Sequence, residues 1–350
     1  MIRELNHRAL LPAWFLLLFA VCFGLGYPTL ARYDPRSVAG LSDTVQYFRI
    51  VEQSPAAAAG HFKYRVLVPY LAKPIYLLAQ GRLGSWNATA FALLIVNSIF
   101  CAGTALLVSV LAYSLSRNAS LGTLVAFAYL LNFTVSNFQL GGLVDSADAF
   151  WFALLTCALL SRQWALLPLI GLLAGLTKET FTPLGFTFAA VWVLASQPRE
   201  KAAQKIGAVI AMGAVGLLTV LAVRSAIDHR WALPWNIVAE EHAGGFVRNL
   251  LHGLTEWNLW LTMILLPFVF LAAKRIPMEW RRAALCAAIT TVVLSAWNDA
   301  GREASRPFAS AGNVGRPLFS IIGPLLAVSF ALALDSMQAV RSSVREDGSP

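Results

Sequence analysis

A chain of 350 residues that is 58% hydrophobic and 13% charged, with a mean hydropathy of +0.64, carries more apolar surface than a soluble domain of its length can bury. A soluble enzyme is thereby excluded, and the class is all-α: a polytopic transmembrane helical protein with one integral membrane domain over residues 1–350. The net charge of +9 is no nucleic-acid footprint, because Lys and Arg are scattered between apolar runs and read instead as topology signals.

Taken in order, the chain opens with basic residues ahead of a long apolar run lacking an A-x-A site. This reads as a retained anchor rather than a cleaved signal. Apolar runs predict spans near 9–30, 88–115, 119–139, 146–161, 164–177, 181–196, 206–226, 258–273, 283–298 and 317–338, about ten in all. The first long polar interruption, 31–87, is predicted to be an outer loop with two amphipathic surface helices. One is opened by Asp43 in GLSDTVQYF, with Val45, Phe48 and Val51 on its apolar face. The other covers Val66–Ala79, where Pro69, Lys73 and Pro74 interrupt a run too short to cross a bilayer. If that segment crossed, every later loop would change sides.

Charge density supports the surface placement. With 66–79 on the surface, one side receives the N-terminus, 116–118, 161–163, 197–205, 274–282 and the tail 339–350. Those short segments hold 13 of the 27 basic residues. Basic density in short loops marks the cytoplasmic face, so both termini are predicted inside. The loops 31–87, 139–147, 177–181, 227–257 and 297–316 then share the outer face and hold nearly all the unusual polar residues.

Each of those residues admits two readings. Asp43 is either a first-turn acid favoured by the helix dipole or a base or cation ligand at the lipid–water boundary. Tyr47, Arg49, Lys63 and Arg65 follow it, and Lys63, Arg65 and Lys73 either meet lipid headgroups or hold a lipid phosphate. Asp145 and Asp148, at i and i+3, share a helix face at the mouth of a span. There they cap the helix or face a polar cavity. Lys178 and Glu179 interrupt a nearly continuous apolar stretch, as a self-paired surface turn or, the reading favoured here, as site residues with Lys178 binding an anion. Arg302, Arg306 and Arg316 are solvated loop arginines or paired donors for phosphate. His229, His242 and His252 lack zinc spacing, and Cys22, Cys101, Cys157 and Cys286 each sit in a separate apolar run, so no metal site or disulfide framework is predicted. No cofactor is called for, and a divalent metal, although possible, has no support in the residues.

The strings SDTVQYF, YRVLVPYL and LTKETF, with an early acid in the first outer loop and a second acidic outer loop, resemble the C-type (GT-C) membrane glycosyltransferases of bacteria. The resemblance implies an inverting transferase in the bacterial plasma (inner) membrane. It would move a sugar from a polyprenyl-phosphate-linked donor to a glycan or lipid acceptor at the outer face. Asp43 matches the position of the first-loop catalytic acid, and Lys178, Arg302, Arg306 and Arg316 become donor-phosphate ligands by analogy. Tyr47, Arg65, Asp145, Asp148 and Glu179 complete the expected substrate site. The implied partners are membrane lipids, donor and acceptor, with no nucleic acid. The chain departs from larger members in having a lone Asp in a short first loop and no C-terminal soluble domain. A transporter or flippase of lipid-linked or anionic substrates is the alternative, and a non-catalytic scaffold the third possibility.

Overall fold

The computed structural model describes residues 2–32, 42–84, 86–196, 201–233, 246–298 and 314–347, all helices and turns, with no strand among the described residues. Four helices are long and apolar enough to cross a membrane. They are α1 (Ile2–Arg32), α4 (Ala88–Ser116), α9 (Ala202–Asp228) and α14 (Gly315–Asp347). Within their apolar windows α14 is 83% buried and α4 72%, against 17% for α1 and 28% for α9. Other helices therefore surround α4 and α14, while α1 and α9 lie at the periphery.

The all-helical expectation holds, and several predicted spans resolve into shorter pieces. Residues 119–139 divide into α5 (Ala119–Leu130) and a π-helical turn, Val135–Gln139. At the break, Asn132 Oδ1 accepts the Thr134 amide at 3.0 Å, a local bond that competes with helix propagation. Residues 258–273 divide into α11 (Trp257–Thr262) and α12 (Leu266–Leu271), because Pro267 has no amide hydrogen to continue the first helix and suits the start of the second. The remaining helices are α2 (Ser42–Glu52), α3 (Leu67–Ala79), α6 (Asp145–Leu160), α7 (Leu167–Thr177), α8 (Phe181–Ala195), α10 (Phe246–Thr255) and α13 (Met278–Asn298).

Helix α3 is too short to cross a bilayer. Its 13 residues rise roughly 20 Å, short of a bilayer core of about 30 Å. Both of its flanks also return to α2. Arg65, just before it, reaches Tyr47, while Thr89, after it, donates to Glu52 Oε1 at 2.6 Å. Lys73, in the middle of α3, donates to the Gln53 carbonyl at 2.9 Å. Helix α3 thus runs beside α2, with the residues before and after it bonded to α2.

Two close packings set the heights of the site helices. Gly171 and Gly175 of α7 lie against Met212 and Gly216 of α9, where a Cβ on Gly171 would sit 2.3 Å from the Met212 carbonyl oxygen. Small residues let the two backbones touch, as in membrane helix pairs generally. Helix α6 is pinned to α4 by Ser146 Oγ donating to Asn97 Oδ1 at 2.6 Å in the interior.

Candidate functional site

The N-terminal ends of α2, α6 and α14 meet the C-terminal end of α7 and the segment leading into α3, and the charged side chains gather there. Asp43 lies in the first turn of α2, and Asp145 and Asp148 in the first turn of α6. Carboxylates are favoured at these helix ends by the dipole, as is Lys178 at the C-terminus of α7. Arg316, the second residue of α14, stands at a helix end that disfavours a cation, so its place depends on the acids around it.

Those acids are close. Arg316 Nη2 donates to Asp43 Oδ2 at 3.1 Å, and Nη1 stands 4.0 Å from Asp145 Oδ2, so one guanidinium bridges two carboxylates. The Phe138 ring, carried by the π-helical turn, lies 5.8 Å from the guanidinium. Lys178 Nζ donates to Asp145 Oδ1 at 2.7 Å and lies 3.8 Å from Asp148 Oδ2. Asp148 is 2% exposed, and its Oδ1 has no hydrogen-bond partner among the described residues. Alongside, Arg65 grips Glu179 through two parallel hydrogen bonds of 2.8 and 3.1 Å and donates to the Tyr47 hydroxyl at 3.2 Å.

Local packing aims each group. Thr44 Oγ1 donates to the Gly141 carbonyl at 3.2 Å, which seats the start of α2 on the turn before α6. Gly142 in that turn has φ of +87°, and a Cβ there would meet Thr44 Cγ2 at 2.9 Å. Glycine is required for both reasons, and the fit brings Asp43 beside Asp145. Trp151 Nε1 donates to Thr177 Oγ1 at 2.9 Å, fixing the end of α7 against α6 one residue before Lys178.

Eight of the ten residues predicted for the site, Asp43, Tyr47, Arg65, Asp145, Asp148, Lys178, Glu179 and Arg316, come together here. Arg302 and Arg306 lie outside the described residues. Lys178 and Glu179 do not pair with each other, which removes the self-paired turn. One reaches into α6 while the other turns to Arg65. Capping does not account for α6 either, because its N-cap is Val144 with no side-chain bond and Asp145 is spent on Lys178.

Three cations here face four carboxylates, in groups mostly withdrawn from solvent. A buried charge is tolerated when it is paired, and losing one partner of such a pair is expensive. Burial raises the Glu179 carboxyl, but the adjoining Arg65 outweighs it and brings the group down to about 2. Burial likewise works to lower Arg65, yet Glu179 and Tyr47 hold it well above its ordinary value. Burial pushes the Tyr47 phenol up, against the pull of Arg65, so it remains a protonated hydroxyl. Asp43 is the most open of the four acids, with 19% of its side chain exposed against 7% for Asp145, 3% for Asp148 and 14% for Glu179. Among the described residues, no group of three or more His, Cys, Asp and Glu side chains is arranged to hold a metal ion.

Sequence reasoning missed Phe138 and Thr44, which position the charged groups, and a second charged cluster involving Arg224 and Asp228. The last two are one helical turn apart at the end of a long apolar run, which is the signal that points to them. Comparison of the chain with protein-family models, curated proteins and solved structures gives no match.

Proposed function

We propose that the protein is a membrane glycosyltransferase of the C-type kind, inverting, using a polyprenyl-phosphate-linked sugar donor and a glycan or lipid acceptor. The observation that carries this reading is Arg316 held between Asp43 and Asp145 where three helix N-termini converge. Helix N-termini and guanidiniums are the groups that receive phosphate oxygens. In this mechanism the donor phosphate draws Arg316 off Asp43, and Asp43 Oδ2 then takes the proton of the acceptor hydroxyl as that oxygen attacks the anomeric carbon. The bond from the anomeric carbon to the phosphate oxygen breaks, and Arg316 and Lys178 stabilise the charge gathering on the departing lipid phosphate. Arg65, Glu179 and Tyr47 hold the first loop against the bundle.

The same reading places the site on the outer face of a bacterial inner membrane, with about ten passages and both termini cytoplasmic, on the strength of the basic short loops. The chemistry needs the acid, the cations and the lipid boundary on one side, and the folding-back of α3 supports that arrangement. One observation favours transport instead. Asp148 is buried with an unpartnered oxygen next to a paired lysine, a feature found in carriers that take up a proton.

The test is transfer of labelled sugar from polyprenyl-phosphate donors in membranes containing the protein. Asp43→Asn is expected to keep the folded protein and to lower transfer at least about 100-fold, the usual range for a general base. Undiminished transfer by that variant would eliminate Asp43 as the base.

A further inference from the structure

A second charged cluster lies at the same end of the bundle, on the other side of the 3-10 turn Gly60–Tyr64. Arg65 points from that turn into the site described above, while Lys63 and Tyr64 point to the end of α9. Asp228 accepts Lys63 Nζ on Oδ1 at 2.5 Å and the Tyr64 hydroxyl on Oδ2 at 2.7 Å, so both of its oxygens are taken. Arg230 approaches Oδ2 no nearer than 3.9 Å, with 79% of its side chain exposed. Arg224, one turn earlier on α9, lies over the Tyr64 ring with its guanidinium carbon 4.4 Å from the centroid. Its Nε is buried with no hydrogen-bond partner, and no carboxylate lies within ion-pair distance of it among the described residues. Lys63 and Arg230 thus share one acid, and Arg224 stands beside them with none in reach among the described residues.

An aromatic face under a guanidinium fixes its plane and leaves its edge to bind. A half-buried guanidinium with an unmet donor, beside a lysine and a second arginine, fits a phosphate with two or more oxygens in reach. The surroundings say what carries that phosphate. Asp228 ends a helix apolar enough to span a membrane, and Trp231, 89% exposed, follows three residues later with Leu233, 41% exposed, beyond it. An exposed tryptophan at the end of a span marks the headgroup layer. The Ala232 amide donating to Ser225 Oγ at 2.9 Å folds this segment back on α9.

We infer that Lys63, Tyr64, Arg224 and Arg230 form a binding site for the phosphate of an anionic lipid headgroup, with the acyl chains lying along α9. This site uses none of the residues assigned to sugar transfer and stands whether or not that assignment holds. A lipid seated here would clamp the first loop to α9 beside the main cluster.

The experiment is native mass spectrometry of the whole protein in neutral detergent, titrated with phosphatidylglycerol or, in parallel, phosphatidylcholine. One phosphatidylglycerol is expected to be retained in preference to phosphatidylcholine. Arg224→Gln is expected to weaken retention roughly tenfold, and Arg224→Lys, which keeps the charge without the fork, by less. Arg82→Gln, on an exposed turn elsewhere, should leave it unchanged. Equal retention by the parent and Arg224→Gln overturns the proposal. So does displacement of the lipid by inorganic phosphate at similar concentration, which would make the ligand a free oxyanion. Should Arg224→Gln not fold, Arg230→Gln decides: a drop of about threefold supports the site, and no drop rejects it.

Discussion

Arg316 and Asp43 are 273 positions apart, and their side chains meet at 3.1 Å. That contact joins the start of the first loop to the start of the last long helix and puts both beside the acids of α6. A double-mutant cycle tests it. Arg316→Ala and Asp43→Ala are each expected to destabilise the protein, and together by less than their sum. The coupling should be about 1–2 kcal/mol for so withdrawn a pair, read from unfolding in detergent. Strict additivity would mean that the two side chains do not interact in the folded protein.

Lys178 neutralises two buried carboxyl groups, and its removal should be costly. Lys178→Met is expected to lose about 3–5 kcal/mol, because it strands Asp148 without a cation and leaves Asp145 only the more distant Arg316. Adding Asp148→Asn to that variant should restore a large part of the loss. Thermal unfolding of the single and double variants in one detergent measures both effects.

Arg65 and Glu179 predict a pH window. The folded Glu179 carboxyl lies at about 2, below its ordinary value of 4.5. The unfolded state therefore binds the proton more readily than the folded state. The pair's stabilisation is fully present above about pH 4.5 and is lost as pH falls from there towards 2. Unfolding temperatures of the parent protein should drop through that window, and Glu179→Gln should remove much of the drop. An identical acid profile in the two proteins would show that Glu179 does not contribute to it.

The seam between α7 and α9 makes a structural prediction with an internal control. Gly171→Ala puts a methyl group 2.3 Å from the Met212 carbonyl oxygen and is expected to cost about 1–3 kcal/mol. Gly207→Ala, on the same α9 with nothing within 4 Å of the new carbon, should be neutral or stabilising by up to about 1 kcal/mol through helix propensity. If both substitutions unfold at the same temperature as the parent, α7 and α9 do not touch there.

Much of the site was legible because unusual residues declare themselves against an apolar background. An acid or a lysine in a nearly continuous hydrophobic stretch needs a partner or water, and this picked out Asp145, Asp148, Lys178 and Glu179 before any pairing was known. The length of the Val66–Ala79 run was enough to mark α3 as a helix too short to cross a bilayer. Pairing was not legible. Lys178 and Glu179 are neighbours in the chain, yet the backbone leaves the helix at Lys178 in an extended conformation and sends one side chain to α6 and the other to Arg65, with the end of α7 fixed by the Trp151–Thr177 bond. The breaks inside 119–139 and 258–273 were hidden as well, since hydropathy sums over a run and does not register where backbone hydrogen bonding stops. The sequence by itself determined the all-helical, apolar class of protein and the residues that had to find partners. Only the tertiary structure decided who those partners are, because an ion pair forms within a few ångströms and that distance is fixed by how helices far apart in the chain pack.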